Sequence, residues 1–295
     1  MTAEYLSLLL ADGRLPTGAH TQSAGVEPAL RHGMRVADVP AYLRVRLATV
    51  TEVEAAAAVV AGRTWSRRTV PTTFREPPSS GEALRQAQGT LSGEALRQAQ
   101  GTLSGEALRQ AQGTLSGAAL RQAQGTLSGE ALGQARGTSS VAPGTVAGLR
   151  LVDRAWRVRT LSDALREASD LLGRSYLRTA AAVWDLEPLA GAVGPWCRAV
   201  VLGVVAAEAG LDAEQTARLV AYEDVQTVVA AALKLEPFDP ALGVRWAADA
   251  AVGVEALVAR VADACTPDDI PAHSAPLVEE WGQHHRTSER RLFRA

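Results

Sequence analysis

An all-α fold, one helical bundle of about eight or nine helices interrupted by a long low-complexity insertion, is what this sequence predicts. Composition is the first reason: 47% of the 295 residues are hydrophobic but only 4% are aromatic. Alanine and valine suit closely packed helices better than a sheet sandwich, whose strands favour aromatic residues. The second is spacing, because apolar side chains return every three or four positions between recognisable helix caps. The third is the run 199–207, apolar on every side. A helix of that kind belongs in the middle of a bundle, and the run is far short of the roughly 20 residues a membrane span needs.

In chain order, residues 3–10 read as a short helix, 13–22 as a loop shaped by Gly and Pro, 23–32 as a second helix, and 38–65 as one long Ala-rich helix. Farther on, Thr160 with Asp163 suggests a capping box, and Leu161, Leu165, Ala168 and Leu172 then repeat at helical spacing, predicting a helix that runs to about Leu186. Pro195 opens the apolar helix, which ends before Gly210. Asp212 and Gln215 form an N-cap and N3 pair for a helix that reaches Lys234. Pro237 and Pro240 set off a helix over about 241–264, and a last helix runs from about 274 into the C-terminal tail.

Between the two halves lies a tandem repeat. Gly-Glu-Ala-Leu-Arg-Gln-Ala-Gln-Gly-Thr-Leu-Ser begins at Gly81 and recurs from Gly93, Gly105, Gly117 and Gly129, decaying in the fifth copy, so five copies fill residues 81–140. At about 100° per residue, a twelve-residue period turns each copy by about 120° from the last, and no continuous apolar stripe forms. Each helix-interior glycine costs about 1 kcal/mol relative to alanine. The expectation is a mobile surface insertion spanning 67–145, in which Pro71, Pro77 and Pro78 lead into the repeats and Pro143 and Gly144 lead out of them, with 1–66 and 146–295 forming one domain.

Several function classes find no support. Net charge is -2, and no basic run is long enough to track a phosphate backbone. Lys234 is the sole lysine and Leu235 follows it, so no phosphate-binding Gly-Lys-Ser/Thr loop exists. Around Ser23 the first glycine of a nucleophile elbow is missing. Cys197 and Cys265 have neither metal-type spacing nor a disulfide framework, and Cys197 reads as a buried structural thiol. His284 and His285 are neighbours pointing about 100° apart on a helix, which reads as a solvated helix end rather than a metal site. No basic flank precedes the first apolar run, so a soluble cytoplasmic protein is expected, with no membrane or nucleic-acid partner.

Two segments are not explained by packing. In Leu15-Pro16-Thr17-Gly18-Ala19-His20-Thr21-Gln22-Ser23-Ala24-Gly25-Val26-Glu27, Pro and Gly shape a tight loop, Ser23 is placed to cap the helix that follows, and Glu27 falls in its first turns, where unpaired amides favour a carboxylate. The ending Arg291-Leu292-Phe293-Arg294 has the composition of an interface anchor.

These segments also carry a resemblance. Leu15-Pro16-Thr17-Gly18 followed by Ser23-x-Gly25-x-Glu27 resembles the N-terminal signature of the urease accessory protein F (UreF) family, and Arg291-Leu292-Phe293-Arg294 resembles its C-terminal ending. In between, Arg166-Glu167-Ala168-Ser169, Leu172-Gly173-Arg174, Gly210-Leu211 and Ala231-Ala232-Leu233-Lys234-Leu235-Glu236-Pro237 match family segments in order. Gln22, Val26, Lys234, Asp239-Pro240 and Ala295 depart from the usual residues.

The resemblance implies a non-catalytic, homodimeric adaptor with no cofactor of its own, bridging urease accessory protein D/H and the GTPase accessory protein G. Nickel and GTP are handled by the partner complex, which matures apo-urease. It also implies partner-binding roles for Pro16, Gly18, Ser23, Gly25, Glu27, Lys234, Arg291, Leu292, Phe293 and Arg294. Glu27 would be the charged contact on the GTPase side, and the tail would order on the D/H partner. Competing readings are a nickel-binding metallochaperone using His and Cys ligands, and a helical small-molecule-binding protein.

Because the repeats present no continuous apolar face, deleting 79–140 is expected to leave cooperative thermal unfolding intact. A deletion variant that unfolds without a sharp transition in a circular-dichroism melt would show that the repeats contribute to the core.

Overall fold

A computed structural model of the chain describes residues 2–13, 15, 17, 21–67, 143–287 and 292–293. The described residues contain eleven α-helices and no strand. The chain divides into two units, Met1–Thr69 with Val141–Ala295 and, separately, Val70–Ser140. The second unit, and with it the tandem repeat, lies outside the described residues.

The centre of the bundle is the pair α4 (Val50–Ser66) and α8 (Arg198–Glu208). Both are buried almost all round, through 55–61 on one helix and 199–206 on the other. Small residues let the two backbones approach: a Cβ on Gly203 would sit 2.1 Å from the Ala58 carbonyl oxygen. Onto this pair pack α5 (Pro143–Arg159), α6 (Asp163–Ala180) and α9 (Ala213–Leu235). Gly173 of α6 is held to glycine for the same reason, with the Trp196 carbonyl oxygen 2.1 Å from where its Cβ would stand. α10 (Pro240–Val261) lies against α9, and α11 (Pro276–Thr287) covers α6 and the short α2 (Val26–Arg31). The remaining helices are α1 (Ala3–Leu10), α3 (Val39–Leu47) and the single turn α7 (Glu187–Ala190).

Several boundaries differ from the sequence reading. The stretch 38–65 is two helices, broken where Thr49 leaves helical geometry (φ -137°, ψ -97°) while its hydroxyl donates to the Val45 carbonyl at 2.7 Å. A local side-chain bond of this kind competes with the helical ladder. The cap of α6 is Ser162, not Thr160, its hydroxyl accepting from the Leu165 amide, and the helix stops at Ala180 rather than near 186. Pro143, read as part of a linker, begins α5, since proline suits a first turn whose amides have no partner. The apolar helix starts at Arg198 with Cys197 as its N-cap, not at Pro195. The Asp212–Gln215 capping box forms as expected, the amide of each accepted by the side chain of the other at 2.8 and 3.0 Å.

One buried ion pair ties α3 to α9. Arg46 Nε and Nη2 donate to the two oxygens of Asp224 at 2.9 and 2.5 Å, and the Thr51 hydroxyl adds a third bond at 2.7 Å. Burial pushes the Asp224 carboxyl up, but the Arg46 guanidinium and these hydrogen bonds outweigh it and hold the group below its ordinary 3.8.

Arg46→Ala leaves that carboxylate buried without its counter-charge, so a loss of about 3–5 kcal/mol in denaturant unfolding is expected. The depressed pKa also fixes a direction with pH. The contribution of Asp224 is complete above its unfolded-state pKa and is lost as pH falls through the lower folded value. The denaturation midpoint of the unaltered protein should therefore fall as pH is taken below about 4, and that acid-side fall should be smaller in Asp224→Asn.

Candidate partner-binding site

The N-terminal signature and the C-terminal ending, 265 positions apart, meet at one carboxylate. Glu27 stands in the first turn of α2, and only 1% of it is exposed. Its Oε1 accepts the Leu292 backbone N–H at 2.8 Å and its Oε2 accepts that of Phe293 at 2.9 Å. Arg31, one turn along the same helix, donates to Oε1 at 2.6 Å. Hydrogen bonds with one ionised partner are shorter and about twice as strong as neutral ones, so Glu27 is a firm anchor for the tail.

The rest of the seat comes from two other helices. The His285 ring of α11 is 2% exposed, with Nε2 3.1 Å from the Phe293 carbonyl oxygen and 3.7 Å from Glu27 Oε2. A carbonyl only accepts, so Nε2 carries the hydrogen. The Phe293 ring is buried, 4% exposed, with Lys234 Nζ from the last turn of α9 4.7 Å from its centroid, within cation–π range. Leu292 projects outward, 54% exposed. Beside Phe293 a groove opens between the loop after α1 and α9, its walls including Asp12, Thr17, Gln22, Tyr222 and Glu223.

Backbone geometry upstream aims Glu27 at the tail. Ala24 and Gly25 both have positive φ, 50° and 79°. Glycine is required at the second position twice over, because a Cβ there would lie 2.6 Å from the Tyr42 hydroxyl. That hydroxyl donates to the Ala24 carbonyl at 2.6 Å, and Arg46 Nη1 donates to the same oxygen at 3.0 Å.

Of the residues singled out from sequence, Ser23, Gly25, Glu27, Lys234, Leu292 and Phe293 are thus drawn to one region, whereas Pro16, Gly18, Arg291 and Arg294 lie outside the described residues. The N-cap position of α2 is Gly25 rather than Ser23. His285 is not part of a solvated helix end, since the 100° between neighbouring helix positions sends it inward and leaves His284 outside. Arg31, Tyr42, Arg46, Asp224 and His285 were missed as contributors. Only Arg31 left a trace in the sequence, as the i+4 partner of Glu27.

Chemistry of other kinds finds little footing. Burial pushes the Cys197 thiol well above its ordinary value, with Asp153 adding to the effect, which is the opposite of an activated nucleophile. Among the described residues no group of three or more His, Cys, Asp or Glu side chains is placed to hold a metal ion. No helix among them is long and apolar enough to cross a membrane.

Comparison with known proteins points to one family. The family model described as UreF matches residues 102–251. The urease accessory protein UreF of Mycobacterium marinum is 25% identical over 301 aligned positions, covering 99% of each chain. The protein of the same name from Mycobacterium tuberculosis strain H37Rv is 47% identical over 51 residues, covering 17% of this chain and 24% of its own. With a match over half its length to the family model and these motifs in its fold, the chain belongs to the UreF family of urease accessory proteins.

Proposed function

We propose that this chain is a non-catalytic, cytoplasmic adaptor in the GTP-dependent insertion of nickel into urease. It works as a homodimer that bridges accessory protein D/H and the GTPase accessory protein G, which together mature apo-urease. Nickel and GTP stay with the partner complex. The adaptor body is 1–66 with 146–295, and 67–145 is an insertion dispensable for the bridging.

The observation that supports this most is the seat of Leu292 and Phe293 on Glu27. A carboxylate that accepts two consecutive backbone amides recognises a peptide segment whatever its side chains, and the exposed Leu292 beside an open groove leaves apolar surface for another polypeptide. The tail and the groove wall form the surface offered to D/H. Glu27 acts on the partners through the tail it holds, not as an exposed charge.

Removing 290–295 should abolish pull-down of the D/H partner while leaving the helical circular-dichroism signal unchanged; retention of both binding and signal would refute the docking role. Glu27→Ala tests the seat itself. Losing two bonds to a charged acceptor, each worth about 1.5–3 kcal/mol, should speed hydrogen exchange at the Leu292 and Phe293 amides at least tenfold. Unchanged exchange at both amides would mean that the carboxylate does not hold the tail.

A further inference from the structure

The groove beside Phe293 shares a wall with a second, inner cavity, because Gln22 and Thr227 line both. The inner cavity lies among the Ala24–Gly25 turn, α4, α5 and α6, and its apolar side is Trp156, Leu165, Ala168 and Leu172. It holds about 120 Å3. Small-molecule pockets hold about 300–1,000 Å3, so this space suits a single side chain rather than a separate ligand.

The polar side of these cavities carries two carboxylates on one guanidinium. Arg198, on the inner wall, donates through Nη1 to Glu54 Oε1 at 2.6 Å and through Nη2 to Glu223 Oε2. Glu54 lines the inner cavity and Glu223 the groove. Arg46 is committed to Asp224, and the Tyr176 hydroxyl that donates to Glu223 brings no charge. One negative charge is thus left over, and burial, with Glu54 adding to it, pushes the Glu223 carboxyl up against the pull of Arg198. Burying a charge without a counter-charge is costly, so a cation entering from the groove is favoured.

Gln22 points independently to what carries that cation. It is 7% exposed and stands where the two cavities meet, and among the described residues nothing hydrogen-bonds to its side-chain amide. An unpaired buried amide is costly. Its carbonyl oxygen and NH2 group complement the N–H and C=O of a peptide backbone. The groove follows α9 from Glu223 to Lys234, about 16 Å of helix at 1.5 Å per residue, which matches about five residues of extended chain.

We infer that the groove and the inner cavity take an extended segment of another polypeptide, its backbone paired with the Gln22 amide and one arginine side chain inserted toward Glu54 and Glu223. A guanidinium is the cation of choice, since its planar fork meets carboxylates with two parallel hydrogen bonds and arginine is enriched at protein interfaces. The inference rests on the adaptor reading for the identity of that polypeptide, the D/H partner, and adds the chemistry by which the groove selects it.

The probe is the peptide acetyl-Ala-Leu-Arg-Leu-Ala-amide, titrated against the full-length chain beside the same peptide with citrulline for arginine, which keeps the size and removes the charge. Affinity is read from the NMR signals of the peptide, and its place from the Gln22 side-chain amide. Saturable binding that shifts the Gln22 amide is expected, at least tenfold weaker for the citrulline peptide. Gln22→Ala and Glu223→Gln should each weaken it at least fivefold, whereas Glu255→Gln, on α10 and lining neither cavity, should not change it. The two peptides on the unaltered chain decide the matter even where a variant fails to fold. Absence of saturable binding, equal binding of the two peptides, or binding that leaves the Gln22 amide unmoved overturns the inference. Retained pull-down of the D/H partner with no peptide binding sinks this inference alone. Peptide binding at Gln22 without any D/H pull-down supports it and sinks the adaptor reading instead.

Discussion

The carbonyl oxygen of Ala24 and the two residues that bind it set the geometry on which the site depends. A non-glycine residue at positive φ is strained, by about 1–2 kcal/mol in the left-handed region, and such a turn persists only where its surroundings over-determine it. Here Tyr42 and Arg46, both on α3, grip the one oxygen, and Arg46 is itself locked to Asp224 on α9. The turn directs the first turn of α2, and with it Glu27, toward the end of the chain. The Ala24–Gly25 turn is therefore fixed from two helices at once.

A second polar cluster does related work inside the bundle. Arg198, at the start of α8, bonds to Glu54 of α4 at 2.6 Å and to Glu223 of α9, and the Tyr176 hydroxyl of α6 donates to Glu223 at 3.2 Å. Burial pushes the Glu223 carboxyl up, and the opposing pull of Arg198 does not fully offset it. Buried ion pairs add little net stability over apolar replacements of the same shape. What they add is discrimination among packings. A shift of α8 by one turn, about 5.4 Å, would separate Arg198 from both carboxylates and would also carry Gly203 away from the Ala58 carbonyl, so charge and close packing specify the same register.

How far the sequence could be read follows from which signals are local. Helix existence, the Asp212–Gln215 box and the apolar α8 were legible because period and caps are properties of neighbouring residues. The break at Thr49 and the stop at Ala180 were not, because each continues an apolar pattern that looks helical from sequence. The two ends of the site were legible as motifs, but their meeting was not. Nothing near Glu27 announces that its acceptors are filled by amides 265 and 266 positions away. His285 failed for a similar reason, since two adjacent histidines look alike in sequence and the helix sends one in and one out.

That meeting bears on how an adaptor of this kind can work. Burying a phenylalanine side chain is worth about 1.5–3 kcal/mol, and the two bonds to Glu27 add a comparable amount each. Against this stands the ordering of the tail, at about 1–2 kcal/mol per residue of backbone. For Leu292 and Phe293 that cost is about 2–4 kcal/mol against a gain of about 4.5–9 kcal/mol, so the seat is strong enough to define their conformation, by a margin of a size that a partner's interface can exceed. A protein interface of standard size, near 1,600 Å2 of total buried area, exceeds the few contacts of two residues many times over. The outward Leu292 and the groove beside Phe293 are where such a partner would begin, with Glu27 supplying the fixed point against which the tail is rearranged.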